Sequence, residues 1–162
     1  MIRKLMTFSM VVAGVALAQA PGTTVRAPEY KQGAPLACPT GTRQMNGAGG
    51  TLAGCAKLVD GKPVFHGPVV RLYDDGKVEA VGQLQDGLRS GKWQMFTKDG
   101  ALASEIEFLA DSYNGHRIEY SNGKVVLDEL YVAGKREGVQ KKFNAQGVAT
   151  VTEYRGDHPV NR

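Results

Sequence analysis

Asp86-Gly87-Leu88-Arg89-Ser90-Gly91-Lys92-Trp93-Gln94-Met95-Phe96-Thr97-Lys98-Asp99-Gly100 sets a turn signal at each end of one short segment. Asp-Gly pairs favour the positive φ of hairpin tips. Too few residues separate the two signals for a helix, and the next segment alternates with a period of two. There Leu102, Ser104, Ile106 and Phe108 fall on one predicted face, as do Val125, Leu127, Glu129 and Tyr131 further on. The segment therefore reads as a β-strand between hairpin connections.

The pattern repeats over residues 61–156. Glycines at 67, 91, 115 and 138 keep a period of 23–24 residues, and so do the turn glycines 76, 100, 123 and 147. An aromatic column, Tyr73, Phe96, Tyr120 and Phe143, keeps the same period, as does the large apolar column Leu84, Phe108, Tyr131 and Tyr154. The tips Asp74-Asp75-Gly76-Lys77, Lys98-Asp99-Gly100-Ala101 and Ser121-Asn122-Gly123-Lys124 predict two-residue turns. A slightly longer connection alternates with them, at 86–91, 111–115 and 134–138. The expected fold is all-β: an elongated antiparallel sheet of about eight strands, built from four stacked β-hairpin repeats and preceded by a disulfide-closed loop.

Glycine makes up 21 of the 162 residues, about twice its usual share, and much of that excess is periodic. Residues 1–18 read as a secretory signal peptide. Arg3 and Lys4 precede an apolar run that ends in Ala16-Leu17-Ala18-Gln19-Ala20, with cleavage expected after Ala18. Without Arg3 and Lys4 the mature chain keeps 18 basic and 16 acidic side chains, a net charge of +2. So weak a charge argues against a nucleic-acid partner. The apolar run is too short to span a bilayer, and no transmembrane segment is expected in the mature chain. Residues 19–37, with Pro21, Pro28 and Pro35, read as a disordered tether. Cys38 and Cys55 are an even pair flanking a glycine-rich stretch within a disulfide-closed segment, 38–60. An exported address favours a disulfide between them; two thiols with no nearby histidine make half a metal site at best. Residues 157–162 form a tail.

The spacing Asp86-Gly87-x-x-x-Gly91-x-Trp93-x-x-Phe96-x-x-x-Gly100 resembles a MORN-type repeat, and so does Gly134-x-x-x-Gly138-x-x-x-x-Phe143-x-x-x-Gly147. The nearest variant is the bacterial one found in proteins labelled YwqK-type antitoxins. That resemblance implies stacked hairpins used for binding or scaffolding, without catalysis.

No nucleophile, phosphate-loop or dinucleotide motif is visible, and no cofactor is expected. His66, His116 and His158 fall on non-equivalent repeat positions and read as surface histidines. The recurring acids Glu105, Glu107, Asp128, Glu129 and Glu153 read as cross-strand ion pairs. Tyr73, Trp93, Phe96, Tyr120 and Phe143 are the candidate partner-binding residues. Val70, Leu72, Trp93 and Met95 are expected to share the opposite face and to be covered by residues 38–59. These features predict an exported, periplasmic or extracellular, non-enzymatic binding or scaffold module for a protein or an envelope component. An antitoxin or immunity-like protein is one alternative. An envelope polysaccharide-acting enzyme using the sheet-face carboxylates is another.

Overall fold

The computed structural model of the chain describes residues 25–160. The signal peptide expected over 1–18, the first residues of the expected tether and the last two residues of the tail lie outside the described residues. The described strands are β1 (Arg43–Asn46), β2 (Leu52–Val59), β3 (Lys62–Leu72), β4 (Val78–Gln85), β5 (Leu88–Phe96), β6 (Leu102–Leu109), β7 (Ser112–Ser121), β8 (Lys124–Val132), β9 (Lys135–Arg136), β10 (Gly138–Phe143), β11 (Ala149–Arg155) and β12 (His158–Pro159). All belong to one antiparallel sheet and follow one another in chain order, with β9 and β10 both paired to β8. Every pairing is thus local in sequence, as a tandem hairpin repeat requires. A single 3-10 turn, Ala48–Gly50, is the helical structure among the described residues.

The sheet has twelve strands rather than the expected eight or so. The repeats do supply eight: β3 to β8, the strand interrupted between β9 and β10, and β11. The disulfide-closed segment adds two more, because it is a hairpin within the sheet and not a loop before it. Gly47 turns the chain there, donating its N–H to the Leu52 carbonyl at 2.8 Å. The Cys38–Cys55 disulfide is formed, with the Cα atoms 5.4 Å apart. The tail supplies β12, which pairs Tyr154 with Pro159 and Arg155 with His158.

Except at Asn122-Gly123, which forms the two-residue turn expected, the turn types are exchanged relative to expectation. Six connections are two-residue turns with both residues at positive φ: Asp60-Gly61, Asp86-Gly87, Ala110-Asp111, Asn122-Gly123, Ala133-Gly134 and Gly156-Asp157. Three Gly-containing tips carry three-residue loops instead. Tyr73 donates to the Lys77 carbonyl at 2.8 Å, Thr97 to Ala101 at 2.9 Å and Asn144 to Val148 at 3.0 Å. Here only the glycine, at φ 82, 80 and 79, enters the left-handed region, which is the type I turn plus bulge geometry. Gly67, Gly91 and Gly115, which the sequence reads as turn punctuation, lie inside strands at positive φ.

Register bulges within the hairpins switch some residues to the other face. Val70, Val81, Gln94, Glu105, Ile118, Asp128 and Lys141 form one row across β3 to β10. The neighbouring row, Arg71, Ala80, Met95, Ser104, Glu119, Leu127 and Lys142, points the other way. Bulges place Leu102 and Val125 opposite Phe96 and Tyr120. Leu102 therefore leaves the face shared by Ile106 and Phe108. Val70 and Leu72 likewise part from Trp93 and Met95, overturning the single apolar face expected for these four.

Each face carries its own core. On one, Val69, Ala80, Trp93, Ile106 and Phe108 are buried among Leu52, Phe65, Leu84, Met95 and Tyr113, all from strands of the sheet. On the other, Val70, Leu72, Val78, Phe96 and Leu102 are covered by Val25, Ala27, Tyr30 and Leu36. The cover is therefore a strap of residues 25–36, not the 38–59 segment. Ala27 donates its N–H to the Gly100 carbonyl at 2.9 Å, and Leu102 donates to the Val25 carbonyl at 3.3 Å. The Gln44 side chain accepts the Leu36 N–H at 2.7 Å and donates to the Ala34 carbonyl at 2.9 Å. Prolines 28 and 35 keep the strap extended, and its spaced apolar side chains bind it to the sheet. We refer to the two sides as the open face and the strap face.

Candidate binding faces

The five expected binding residues do not form one patch. The repeat column is filled by Leu72, Phe96, Tyr120 and Phe143, which pair with Val78, Leu102, Val125 and Ala149. Tyr73 stands one residue further on, at the start of the turn. Its hydroxyl donates to the Phe96 carbonyl at 2.6 Å, and the Lys98 ammonium lies 5.7 Å from its ring centroid. Phe96, 2% exposed, lies beneath the strap, and Tyr120 packs at the strap's margin. Phe143 is half-buried beyond it. Trp93 belongs to the open face, is 6% exposed and donates its indole N–H to the Gln83 carbonyl at 3.1 Å. Phe96 and Trp93 are thus core residues of opposite faces.

The open face brings Trp93 together with three rings that were not among the expected binding residues. Trp93 meets Phe108 edge-on with centroids 6.3 Å apart, Phe108 meets Tyr113 at 5.2 Å, and Tyr113 meets Tyr131 at 5.0 Å. The Arg89 guanidinium lies 4.1 Å from the Phe108 centroid and that of Arg136 4.3 Å from Tyr154. A second column positions these groups: Phe65, Arg89, Tyr113 and Arg136 recur every 23–24 residues. The carbonyl of each accepts an N–H from the turn of the next hairpin, at 2.8–3.0 Å. Where the column holds arginine, the turn holds aspartate. Asp111 accepts Arg89 Nε at 2.7 Å, and Asp157 accepts the Arg136 N–H at 2.9 Å. These contacts with Arg89 and Arg136 hold both carboxyls below the usual range. A two-repeat alternation of ring and arginine is the sequence signal that would have found this column.

The ladder runs into a concavity of about 450 Å³ on the C-terminal half of the sheet. Leu127, Arg136, Gln140, Lys142, Thr152 and Tyr154 are among its lining residues. Nearby, Arg117 bonds Glu129 at 2.6 Å and also pairs with Glu119. Burial of Arg117 opposes its charge, but these carboxylates raise its pKa. Burial and the Glu129 carboxylate, which accepts the Tyr131 hydroxyl at 3.1 Å, likewise push the Tyr131 phenol up.

On the strap face Glu105 is 8% exposed and fully engaged. It accepts from Gln94 Nε2 at 2.9 Å, Tyr120 Oη at 2.9 Å and Lys92 Nζ at 3.1 Å. Burial alone would raise its pKa; the three donors outweigh burial and lower it. The same burial and carboxylate raise the Tyr120 phenol strongly. Glu107 accepts the His116 N–H at 3.2 Å, and Asp128 contacts His116 Nδ1 at 2.9 Å. His66 contacts Asp86 at 3.1 Å, and His158 lies on β12. Three of the recurring acids thus meet a cationic or histidine partner across strands, as the sequence expects. Among the described residues no three His, Cys, Asp or Glu side chains gather in a metal-holding group.

No protein-family model matches the chain, and no curated protein matches it.

Proposed function

We propose that this chain is an exported, MORN-like repeat protein without catalytic activity, which binds a protein or an envelope component through the open face of its sheet. The carrying observation is the row of rings from Trp93 to Tyr131 and the Tyr154–Arg136 stack: Trp93 and Phe108 are buried and anchor the row, while Tyr113, Tyr131 and Tyr154 remain part-exposed. A sheet face with ordered rings and stacked guanidinium groups offers large contact area at low side-chain entropy, the composition of binding hot spots. The Cys38–Cys55 disulfide supports an oxidising, exported setting. Glu105 favours binding over hydrolysis: Lys92, Gln94 and Tyr120 lower its pKa, whereas a glycosidic general acid needs a raised one.

A photo-cross-linking residue placed at Tyr131 tests the reading in the cell's own envelope fraction. A discrete adduct is expected there and not from the same residue at Lys62, at the opposite end of the repeat array. Equal labelling at both positions, or none at Tyr131, would refute the open face as the binding surface.

A further inference from the structure

We propose that the bare edge of β11 pairs with the same edge of a second copy of this chain, joining two sheets into one. At the other end of the sheet, β1 carries Arg43, and its Gln44 amide is tied to the strap. The β11 end is guarded over only part of its length. Beyond the two pairs with β12, Val160 donates its N–H to the Glu153 carbonyl at 2.8 Å. Among the described residues no backbone pairs with the outer edge of Ala149–Thr152, whose inner edge pairs with β10.

Strand geometry fixes which groups face outward. The Val148 carbonyl accepts the Asn144 N–H on the β10 side, and the Glu153 carbonyl faces the outer edge. Outward groups recur at every second residue, so Ala149 and Val151 present an N–H and a C=O to solvent. The stretch Val148-Ala149-Thr150-Val151-Thr152 holds no charge and no proline, the usual guards of an edge strand. Val148 and Val151 are 63% and 58% exposed.

This donor and acceptor set is self-complementary in one register. With Thr150 opposite Thr150 of the second copy, Ala149 and Val151 exchange all their outward groups, giving four backbone hydrogen bonds. Val148 then meets Thr152 across the seam. The two-fold axis of an antiparallel pair stands perpendicular to the sheet, so both open faces stay on the same side. The concavity lined by Thr150, Thr152 and Tyr154 would run continuously across the junction. A second copy fits better than an arbitrary extended peptide because the edge completes itself with no group left over. The proposal concerns assembly and stands independently of the ligand of the open face.

Both native cysteines are in the disulfide, so a single engineered thiol reports the register. The probe is the full mature chain. In an antiparallel site without direct hydrogen bonds, opposed Cα atoms lie ~4.5 Å apart, within disulfide reach. Thr150→Cys should give a cross-linked dimer as the main product of mild oxidation. Thr152→Cys, whose copies would be ~14 Å apart, should give at least tenfold less. Val151→Pro in the Thr150→Cys chain removes the outward N–H without touching the β10 ladder. It should abolish the cross-link while circular dichroism stays that of the parent; Val151→Lys serves if the proline variant does not fold. Equal cross-linking at 150 and 152, no cross-linking at 150, or persistence in a folded Val151 variant overturns the proposal.

Discussion

Glu105 is a charged side chain in a place where charge is expensive. A carboxylate 8% exposed on a sheet face is tolerated because three donors converge on it, from Gln94 and Lys92 on β5 and from Tyr120 on β7. The protons of this cluster set a pH dependence. The folded pKa lies below the ordinary value of 4.5, so the stabilisation from the ionised form is complete above the unfolded value. It is lost as pH falls through the lower, folded one. Glu105→Gln keeps the shape and removes the charge, leaving the Lys92 ammonium without its partner. The substitution is expected to cost about 1–2 kcal/mol at pH 7, and the gap from the parent should narrow as the pH falls below the ordinary value of 4.5. Urea unfolding followed by Trp93 fluorescence at pH 7 and pH 3 measures both values. A gap of the same size at both would mean that folding leaves the Glu105 pKa unchanged.

The hairpin elements show why the repeat could be read while its details could not. Two-residue turns need positive φ twice, and the chain satisfies this at Asn122-Gly123 with favoured residues but at Ala110-Asp111 and Ala133-Gly134 with alanine first, at φ 48 and 49. A Cβ in the left-handed region costs ~1–2 kcal/mol. Ala110→Asn, which tolerates that region, should therefore stabilise the protein by about 0.5–1 kcal/mol. A rise in the urea midpoint with an unchanged slope would confirm it; a fall would mean that the Ala110 side chain makes a contact worth more than the strain. Spacing alone marked where the chain turns, since hairpin length follows from the period. Turn type was not legible, because Asp-Gly suits both a two-residue turn and the bulged three-residue loop. Facing was lost for the same reason. Tyr73 is equivalent to Thr97, not to Phe96: Leu72 and Phe96 both stand five residues after their strand glycine and four before the tip glycine. The aromatic ring at 73 masked that register, and no local pattern records a bulge. Gly82 was equally silent: it keeps no repeat period, yet it is required because a Cβ there would collide with the Trp93 indole ring. The strap escaped because a proline-spaced segment with few apolar residues looks solvated until the face that it covers is known.

Across the molecule, packing is polarised along the array. Every fully buried hydrophobic among the described residues falls between Ala53 and Phe108, in β2 to β6. The strap and the disulfide act on that same half. Beyond it, among the described residues, the only buried side chain is Gln140, which bridges β8 and β10 by donating to the Leu130 carbonyl at 3.1 Å and accepting its N–H at 2.9 Å. In a tandem array each unit is held by its own core and by its neighbours, so local stability follows local burial. Native-state hydrogen exchange should show the opening free energy falling from β5 and β6 towards β10 and β11 by at least ~2 kcal/mol. Reducing the disulfide should cost ~3 kcal/mol and lower protection in β2 and at the strap contacts Ala27–Gly100 and Val25–Leu102, with little change in β10. Under the proposed function, such a gradient would let the N-terminal half serve as the packed core while the less buried C-terminal half supplies most of the contact surface. Uniform protection across all strands would mean that the array unfolds as one block, and that the less buried half is held by interactions other than its own packing.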